Sequence, residues 1–225
     1  GIGRAIALAF AREDATVLIT YRAAADAAAR VAAEIAASGS PTVHVLQADL
    51  STTDACRALV TQAHQTLGHI DVWVNNAGAD VLTTDAAHWD WERKLDLLLA
   101  VDLKGTMACS YAVADVMRAQ HTGGCILNMS WDHVVTGMAG ENPELFSAVK
   151  GGVLSFSKSL ARAQAPGVRV NVLAPGWIET SFGQHADRAF YEQIRASTPM
   201  QRWGRPDDVA AAALYLASPN STFIT

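Results

Sequence analysis

Short apolar runs rich in β-branched residues alternate along this chain with longer segments whose apolar residues recur at helical spacing. The short runs predict five strands buried on both faces, at residues 15–20, 42–47, 70–74, 124–129 and 168–173. The longer segments predict helices after the opening turn and at residues 23–37, 52–67, 88–119 with one break, 143–164 and from 206 onward. This alternation indicates an α/β architecture, a doubly wound parallel sheet with helices on both faces.

Local signals mark several helix ends. Residues 51–54 have the pattern of a capping box, and the helix that follows is expected to stop at Gly68. Pro206 suits the first turn of a helix, where its missing N–H costs nothing, and Asp207 and Asp208 follow at the positive end of the helix dipole. These residues predict where two helices begin and where one ends.

Both ends of the sequence lack a strand that this architecture places beside them. Gly1-Ile2-Gly3 leads directly into a helix, and the strand-like run at 221–225 stops without a turn. In a doubly wound sheet of order 3-2-1-4-5-6 the first strand is central. We therefore expect the first and last strands to be missing, the sequence to be the interior of a slightly longer chain, and the central strand to come from residues outside it.

Composition and charge narrow the class of protein. The 225 residues fit one domain spanning 1–225, and 50% hydrophobic with 17% charged residues exclude a disordered chain. A net charge of −5 argues against a nucleic-acid-binding surface, and no apolar run approaches the roughly 18 residues of a membrane span. The scattered Cys56, Cys109 and Cys125 give neither a disulfide framework nor a metal-binding pattern, so we expect a cytoplasmic protein without a metal site.

Three motifs, in order along the chain, resemble those of the short-chain dehydrogenase/reductases. They are Gly1-Ile2-Gly3, Asn75-Asn76-Ala77-Gly78 and the run at 171–180, and residues 202–210 are similar to the 3-oxoacyl-carrier-protein-reductase branch. The resemblance spans the whole sequence and implies a Rossmann-type, three-layer α/β/α fold with a nicotinamide dinucleotide cofactor. It also implies a homo-tetramer or homo-dimer, formed by pairing the helices at 88–119 and 143–164.

The resemblance assigns the cofactor to residues that follow the predicted strands. Glycine lets backbone approach a pyrophosphate, and the helix behind it directs N–H groups and a positive dipole end toward the phosphates. The expected cofactor-binding residues are Gly1, Ile2 and Gly3 at the pyrophosphate, Asp49 and Leu50 at the adenine, Asn76, Ala77 and Gly78 at its ribose side, and Pro175, Gly176, Ile178 and Thr180 at the nicotinamide. Asp49 can equally be a turn residue before Ser51.

Nucleotide choice is predicted from the residues after the first strand. Proteins that prefer NAD usually carry an acidic residue there, which holds the ribose 2′-hydroxyl. This chain has Arg22 instead, whose paired N–H donors suit a 2′-phosphate. The alternative is a solvated residue at the start of a helix. The sequence therefore favours NADP(H) over NAD(H).

The catalytic pattern of the family is changed at three of its four positions. The family uses an Asn-Ser-Tyr-Lys tetrad, in which Tyr exchanges a proton with the substrate oxygen and Lys lowers the Tyr pKa and holds the nicotinamide ribose. Here Asp102 stands at the Asn position, Trp131 at the Ser position and Phe146 at the Tyr position, and Lys150 is kept. Phe146 has no O–H to donate, and Ser130, one residue early, is expected to face the other way on its strand.

Asp132 and His133 are the candidates for replacement acid–base chemistry beside Lys150. Imidazole titrates near neutral pH, and a carboxylate can orient it. Neighbours on a strand point apart, so the two cooperate only if the chain has already turned into a loop. The alternative is that both are surface loop residues. Trp131 and Phe146 either fill space by packing or stack on substrate or nicotinamide.

Three functions are compatible with these residues. The first is an NADP(H)-dependent oxidoreductase that transfers a hydride between nicotinamide and a carbonyl or alcohol, such as a 3-oxoacyl thioester or a ketone, with Lys150, Asp132 and His133 as catalytic residues. The second is a catalytically degenerate member that binds the nucleotide as a partner subunit or sensor. The third uses the same pocket for dehydration or isomerisation, and the fold alone does not choose among them.

The segment before the last helix is expected to cover the cleft. Residues 181–200 contain Phe182, Phe190 and Tyr191, which offer an apolar lid. A lid of this composition admits acyl chains, steroids, sugars and small ketones alike. The sequence therefore predicts a small-molecule substrate without naming it.

Overall fold

A computed structural model describes residues 1–39, 42–83, 85–140, 143–181, 183 and 186–225. The strands are β1 (Val17–Tyr21), β2 (Val43–Gln47), β3 (Val72–Asn75), β4 (Gly124–Met129) and β5 (Val168–Leu173). The helices are α1 (Ile2–Arg12), α2 (Ala25–Ala37), α3 (Thr53–Leu67), α4 (Trp91–Leu98), α5 (Thr106–Ala119), α6 (His133–Thr136), α7 (Pro143–Gln164), α8 (Arg188–Ser197) and α9 (Pro206–Ala217). A π-helical segment, Leu99–Gly105, joins α4 to α5, and short 3₁₀ turns occupy Asp85–His88 and Pro219–Ser221.

All strand pairs are parallel, as the alternating pattern predicts. Within the described residues they form two sheets, one pairing β1 with β2 and one of order β3-β4-β5. The division falls between β1 and β3, the place where the sequence analysis expects a central strand. The predicted α/β doubly wound class is confirmed.

Alternation along β4 shows how both faces of the larger sheet are covered. Ile126 packs in a cluster with Val60 of α3 and Val113 of α5, whereas the next residue, Leu127, packs in a cluster with Ile6 of α1 and residues of α9. Successive strand side chains point to opposite faces, so these contacts place helices on both sides. The result is the three-layer arrangement that the sequence predicts.

The helix ends marked by local signals agree with the structure to within one residue. The cap of α3 is Thr52, whose Oγ1 accepts a hydrogen bond from the backbone N–H of Ala55 at 3.3 Å, so the helix begins one residue later than predicted. It ends at Gly68, which adopts a left-handed φ of 73°. The first turn of α9 contains Pro206, as expected.

The end of the sequence differs from its prediction. The run at 221–225 is not a strand, because Ser221 closes a 3₁₀ turn and the following residues form a turn. They nevertheless lie along β5: the Thr225 hydroxyl accepts a hydrogen bond from the N–H of Val170 at 3.0 Å. A β-branched composition therefore signalled proximity to the sheet without strand pairing.

The continuous helical stretch from Trp91 to Ala119 begins three residues later than the predicted 88–119 and is more apolar than expected. By length and composition alone it could cross a membrane, contrary to the expectation that no apolar run reaches that length. Half of its most apolar stretch is buried inside the protein. Cys109, Val113 and Met117 of α5 lie fully buried in the core, which explains the apolar character.

Candidate active site

Most of the predicted cofactor residues and all of the predicted catalytic residues lie in segments at one edge of the larger sheet. β3, β4 and β5 run parallel, so their carboxyl ends, at Asn75, Met129 and Leu173, lie together. Ligands of doubly wound sheets bind in the crevice outside these ends. The start of α1, the segments after β3 and β5, and the π-helical segment contact one another at this crevice.

Glycine contacts join the start of α1 to the segments after β3 and β5. A Cβ on Gly3 would lie 2.7 Å from Nδ2 of Asn76, and a Cβ on Gly1 would lie 3.9 Å from Cγ2 of Thr180. Gly3 therefore leaves space that the Asn76 side chain uses. The glycines add no side chain at the N-terminus of α1, and the polar side chains of Asn76 and Thr180 lie beside it, an arrangement that fits the pyrophosphate of a dinucleotide.

The segment after β3 is fixed to the π-helical segment by Asp102. Its Oδ2 accepts a hydrogen bond from the backbone N–H of Ala79 at 2.8 Å, and a Cβ on Gly78 would lie 2.9 Å from Oδ1. Gly78 is therefore required for the close approach of this carboxylate. π-Helical turns within α-helices are frequently found at functional sites.

Lys150 forms a buried ion pair with the residue at the family's Asn position. Its Nζ lies 2.9 Å from Oδ1 of Asp102, and the two side chains are 7% and 1% exposed. The ammonium also donates to the Met129 carbonyl at 3.4 Å and lies 5.4 Å from the centre of the Phe146 ring. An ammonium has three N–H donors and the Met129 carbonyl takes one of them, so Lys150 keeps a spare donor for a ligand hydroxyl.

The contact between Asp102 and Lys150 is ionic rather than an aligned hydrogen bond. Among the described residues, Oδ1 of Asp102 is the buried side-chain atom that lacks a hydrogen-bond donor. An unsatisfied acceptor beside a lysine with a spare donor matches a ribose hydroxyl, which can donate and accept. The family motif points to each residue separately, and no sequence pattern indicates their pairing.

Ser130 points into the protein. Its hydroxyl donates to the backbone carbonyl of Lys150 at 2.8 Å, and the residue is buried. It therefore holds the α7 backbone against the end of β4 instead of facing the crevice, as strand alternation predicts. Trp131 occupies the next position.

Asp132 and His133 form a hydrogen-bonded pair. The chain leaves β4 and turns directly into the short helix α6, so the two side chains are not held apart as on a strand. Nδ1 of His133 lies 2.5 Å from Oδ1 of Asp132, and both residues keep partial exposure. A Cβ on Gly176 would lie 2.7 Å from Oδ2 of Asp132, so this pair sits beside the predicted nicotinamide segment.

Aromatic rings surround the Asp132–His133 pair. The Trp131 ring lies 4.9 Å from the His133 ring, tilted by 31°, and meets Phe146 edge-to-face at 5.3 Å. His133 in turn lies 6.5 Å from Trp177. Trp131, His133, Phe146 and Trp177 are all only partly buried, so the rings pack together and still face the cleft.

The remaining cofactor candidates lie at the edge of the smaller sheet. Gln47, the last residue of β2, donates through Nε2 to the Arg22 carbonyl at 2.9 Å, which fixes the turn after β1. Arg22 is exposed, and within the described part of the chain its guanidinium forms no salt bridge. Leu50 contacts the π-helical segment, since a Cβ on Gly105 would lie 2.8 Å from the Leu50 carbonyl oxygen.

Asp49 forms the turn that was its alternative interpretation. Its Oδ1 accepts a hydrogen bond from the Ser51 N–H at 3.0 Å. The hydrogen bonds from Ser51 lower the pKa of this carboxyl, and the positive charge of Arg22 lowers it further. Asp49 therefore stays ionised close to Arg22, at the position where the resemblance puts the adenine end.

Part of the predicted lid is anchored to the cofactor segment by aromatic contacts. Phe190 meets Trp177 edge-to-face at 5.5 Å, and Tyr191 stacks on Trp203 at 5.0 Å and 11°. Trp203, buried, donates through Nε1 to the Tyr191 carbonyl at 3.0 Å. The third lid residue, Phe182, lies outside the described residues.

The loop that carries Trp203 is held by a salt bridge that the sequence analysis missed. Arg202 binds Asp208 through both terminal nitrogens, at 2.6 and 3.0 Å. The same carboxylate accepts the Arg205 N–H at 2.7 Å and so caps α9. Isolated parallel bridging of Ile178 with Gly204 joins this loop to the segment after β5.

A buried amide network behind the crevice was also missed. Nδ2 of Asn75 donates to Ser110 at 2.9 Å and to Asn128 at 2.8 Å, and Asn128 donates to Ser157 at 2.9 Å. Oδ1 of Asn75 accepts the Trp73 indole N–H at 2.8 Å. The first Asn of the Asn-Asn-Ala-Gly motif is therefore a structural link between the ends of β3 and β4. In the sequence, an amide residue at the end of a buried strand is the feature that could have predicted this link.

Comparisons with known proteins agree with this geometry. A family model described as "Enoyl-(Acyl carrier protein) reductase" matches residues 1–225. The 3-oxoacyl-[acyl-carrier-protein] reductase of Synechocystis sp. is 36% identical over 230 residues, covering 100% of this chain and 88% of the relative. A short-chain dehydrogenase/reductase from Serratia marcescens superposes with a TM-score of 0.88 at 29% identity, covering 100% and 89%. The chain belongs to the short-chain dehydrogenase/reductase family.

Other members of the family match equally well over the whole chain. Nodulation protein G of Azospirillum brasilense is 33% identical over 230 residues, covering 100% of this chain and 89% of the relative. A putative short-chain alcohol dehydrogenase from Sinorhizobium meliloti is 30% identical with a TM-score of 0.88, covering 100% and 88%. The resemblance to this oxidoreductase family and its 3-oxoacyl-reductase-like branch is confirmed. Within the described residues, no group of three His, Cys, Asp or Glu side chains converges as a metal site would require.

Proposed function

We propose that this short-chain dehydrogenase/reductase is an NADP(H)-dependent oxidoreductase that interconverts a carbonyl compound and its alcohol, with His133 in place of the family's tyrosine. The observation that carries the proposal is the 2.5 Å contact between His133 and Asp132 beside Gly176. It puts a proton donor and its orienting carboxylate next to the predicted nicotinamide segment.

The glycine cradle supports dinucleotide binding. Gly1, Ile2 and Gly3 would hold the pyrophosphate at the N-terminus of α1, with Asn76 and Thr180 closing the cradle. When bound, the dinucleotide supplies or accepts a hydride at its nicotinamide ring. An N–H of Lys150 that has no protein acceptor would bind the ribose, and the Asp102 carboxylate holds the ammonium in place through their ion pair.

His133 is the group that can exchange a proton with the substrate oxygen. Its Nδ1 faces Asp132, which leaves Nε2 as the atom directed away from the carboxylate. Phe146 lacks a hydroxyl and Ser130 is turned inward, so neither can play this part. The partly exposed rings of Trp131 and Trp177 flank the imidazole and would exclude water around the reacting oxygen.

Arg22 supports a preference for the phosphorylated dinucleotide. Its exposed guanidinium, free of salt bridges among the described residues, can bind a 2′-phosphate through paired donors. Purified protein is expected to bind NADPH at least about tenfold more tightly than NADH, and Arg22→Ala to remove the difference. Equal affinities in the wild type would remove this part of the proposal.

Turnover of NADPH, followed in absorbance across 3-oxoacyl thioesters and simple ketones, tests the mechanism. His133→Gln is expected to lower kcat by about 10²–10⁴-fold, whereas Phe146→Tyr leaves it unchanged or raises it. Lys150→Ala, checked for folding by circular dichroism, should abolish turnover. Activity indifferent to both His133→Gln and Lys150→Ala would refute the assignment.

A second function, nucleotide binding without turnover, is favoured by one contact. Trp131 and Phe146 stand at the Ser and Tyr positions and pack edge-to-face at 5.3 Å, which fills the space where the family places polar groups. Intact NADPH binding with no turnover on the whole substrate panel would select this function. The protein would then serve as a partner subunit or redox-cofactor sensor.

Location and assembly complete the proposal. All three cysteines are free and buried, which supports a reducing, cytoplasmic location. Trp91, Leu99 and Tyr111 are exposed on the long helix at 91–119, which supports the homo-tetramer or homo-dimer implied by the resemblance. The lid anchored through Phe190 and Tyr191 supports a small-molecule substrate with an apolar part.

A further inference from the structure

Charged side chains at the nicotinamide end of the cleft are arranged differently from the family's tetrad. The tetrad has a lysine and no carboxylate, whereas this chain adds Asp102 and Asp132. Asp102 lies 2.9 Å from the Lys150 ammonium, and both are buried, so that pair is close to neutral. The lysine's positive charge is therefore compensated before any ligand binds.

Asp132 then adds a negative charge at the same end. Its Oδ2 lies against the backbone of Gly176, where a Cβ would be only 2.7 Å away. Its hydrogen-bond partner among the described side chains is His133. A neutral imidazole orients the carboxylate but does not cancel its negative charge. With Asp102 and Lys150 balanced, the cleft carries a net negative charge beside the predicted nicotinamide segment.

We propose that Asp132 and Asp102 make this cleft bind the oxidised form of the nicotinamide dinucleotide more tightly than the reduced form. The inference rests on the proposed function. The two forms differ by one positive charge on the nicotinamide ring, and a nearby carboxylate stabilises only the charged one. The Asp132 side chain is 42% exposed, so water screens part of this interaction and a selectivity of several-fold is expected.

The same charges act on the hydride-transfer step. A carboxylate that stabilises the positively charged ring loses that interaction when the ring is reduced, so Asp132 and Asp102 would make the bound reduced form a stronger hydride donor. A carbonyl carbon would then accept the hydride while the carbonyl oxygen takes a proton from Nε2 of His133, and the carbonyl would become an alcohol. The hydrogen bond to Asp132 holds the imidazole for that proton transfer.

Binding measurements test the inference without turnover. NADP⁺ and NADPH are titrated by calorimetry at pH 8.5 into the wild type and into Asp132→Asn, Asp102→Asn and Glu13→Gln. Asn keeps the shape of each carboxylate and removes its charge, and Asn is the family residue at position 102. Glu13 is exposed at the far end of α1, so its variant removes one charge away from the cleft.

The wild type is expected to bind NADP⁺ at least about fivefold more tightly than NADPH, and each Asp variant to lower that ratio at least about threefold. Glu13→Gln should leave the ratio unchanged. Equal affinities for the two forms, or the same ratio in all four proteins, would overturn the inference and leave the proposed function standing. Failure of the wild type to bind either form would overturn both.

Discussion

Two regions of the crevice differ in how many of the family's residues they keep. The glycine cradle, formed by Gly1, Gly3 and Asn76 with Thr180, keeps the family pattern. The proton-transfer region, formed by Asp102, Trp131, Asp132, His133, Phe146 and Lys150, keeps one of the family's four residues. Both regions lie at the same sheet edge and within one fold. The difference is therefore one of physical constraint, not of position.

The glycine cradle depends on positions that carry no side chain, whereas the proton-transfer region depends on pairs of charged or polar side chains. A Cβ on Gly3 collides with Asn76, so no side chain can substitute there without moving the wall. In the proton-transfer region, by contrast, each added carboxylate contacts a basic side chain: Asp102 contacts Lys150, and Asp132 contacts His133. Substitutions that introduce a charge into such a site are tolerated when the new charge is paired with an opposite one.

The largest expected effect is on the buried ion pair of the proton-transfer region. Lys150→Met leaves the Asp102 carboxylate buried without its cation, and should lower the free energy of unfolding by about 3–5 kcal/mol. Adding Asp102→Leu should recover at least half of the loss, because both charges are then gone. Urea unfolding of the two single variants and the double variant measures the coupling.

An exposed ion pair provides the control. Arg195 binds Glu192 at 2.7 Å with both side chains about half exposed, so Arg195→Met should cost no more than about 1 kcal/mol. If Lys150→Met cost as little as Arg195→Met, the two regions would not differ in the way described.

The next effect separates binding from stability in the glycine cradle. Gly3→Ala puts a Cβ 2.7 Å from Nδ2 of Asn76 and should weaken dinucleotide binding by more than about tenfold, roughly 1.4 kcal/mol. Stability should not fall, because alanine is the better helix residue by about 1 kcal/mol and the amide can rotate away. Calorimetric titration and urea unfolding give the two quantities.

Gly151→Ala is the matched change in the other region. Gly151 lies inside α7, and a Cβ there meets Val134 at an ordinary 3.9 Å. Its substitution should gain helix stability and leave dinucleotide affinity unchanged. A loss of affinity as large as that of Gly3→Ala would show that the cradle is not specific.

What the sequence predicts well is what local chemistry determines. The bounds of β4, β5 and α7 agree with the prediction because apolar periodicity, Gly and Pro act within a few residues. The pairing of Asp102 with Lys150 joins residues on two helices, and no spacing rule connects them. The hydrogen bond between Asp132 and His133 requires the chain to turn directly after β4. The sequence leaves that turn as a condition, and in the structure α6 provides it.

The smallest effect concerns the loop that ties the lid to the crevice. Hydrogen bonds from the Arg202 guanidinium, and then from the Arg205 N–H, lower the pKa of Asp208 to about 2. A carboxyl whose pKa is lower in the folded state stabilises the protein above its unfolded pKa of about 3.9, and this stabilisation is lost as the pH falls toward 2. Because both side chains are about half exposed, the cap on α9 contributes more than the ion pair.

Asp208→Asn should therefore lower the free energy of unfolding by about 1 kcal/mol at pH 7, with the difference shrinking steadily below pH 4. The neighbouring Asp207 is exposed in the same helix turn, so Asp207→Asn removes an equal charge without the cap and should cost only about 0.3 kcal/mol. Urea unfolding at pH 7, 4 and 3 compares them. Equal losses for both variants would mean that the helix dipole alone, rather than the Arg202–Asp208 contact, holds this loop, and the lid would then be tied to the crevice by the contacts of Phe190 and Tyr191 with Trp177 and Trp203.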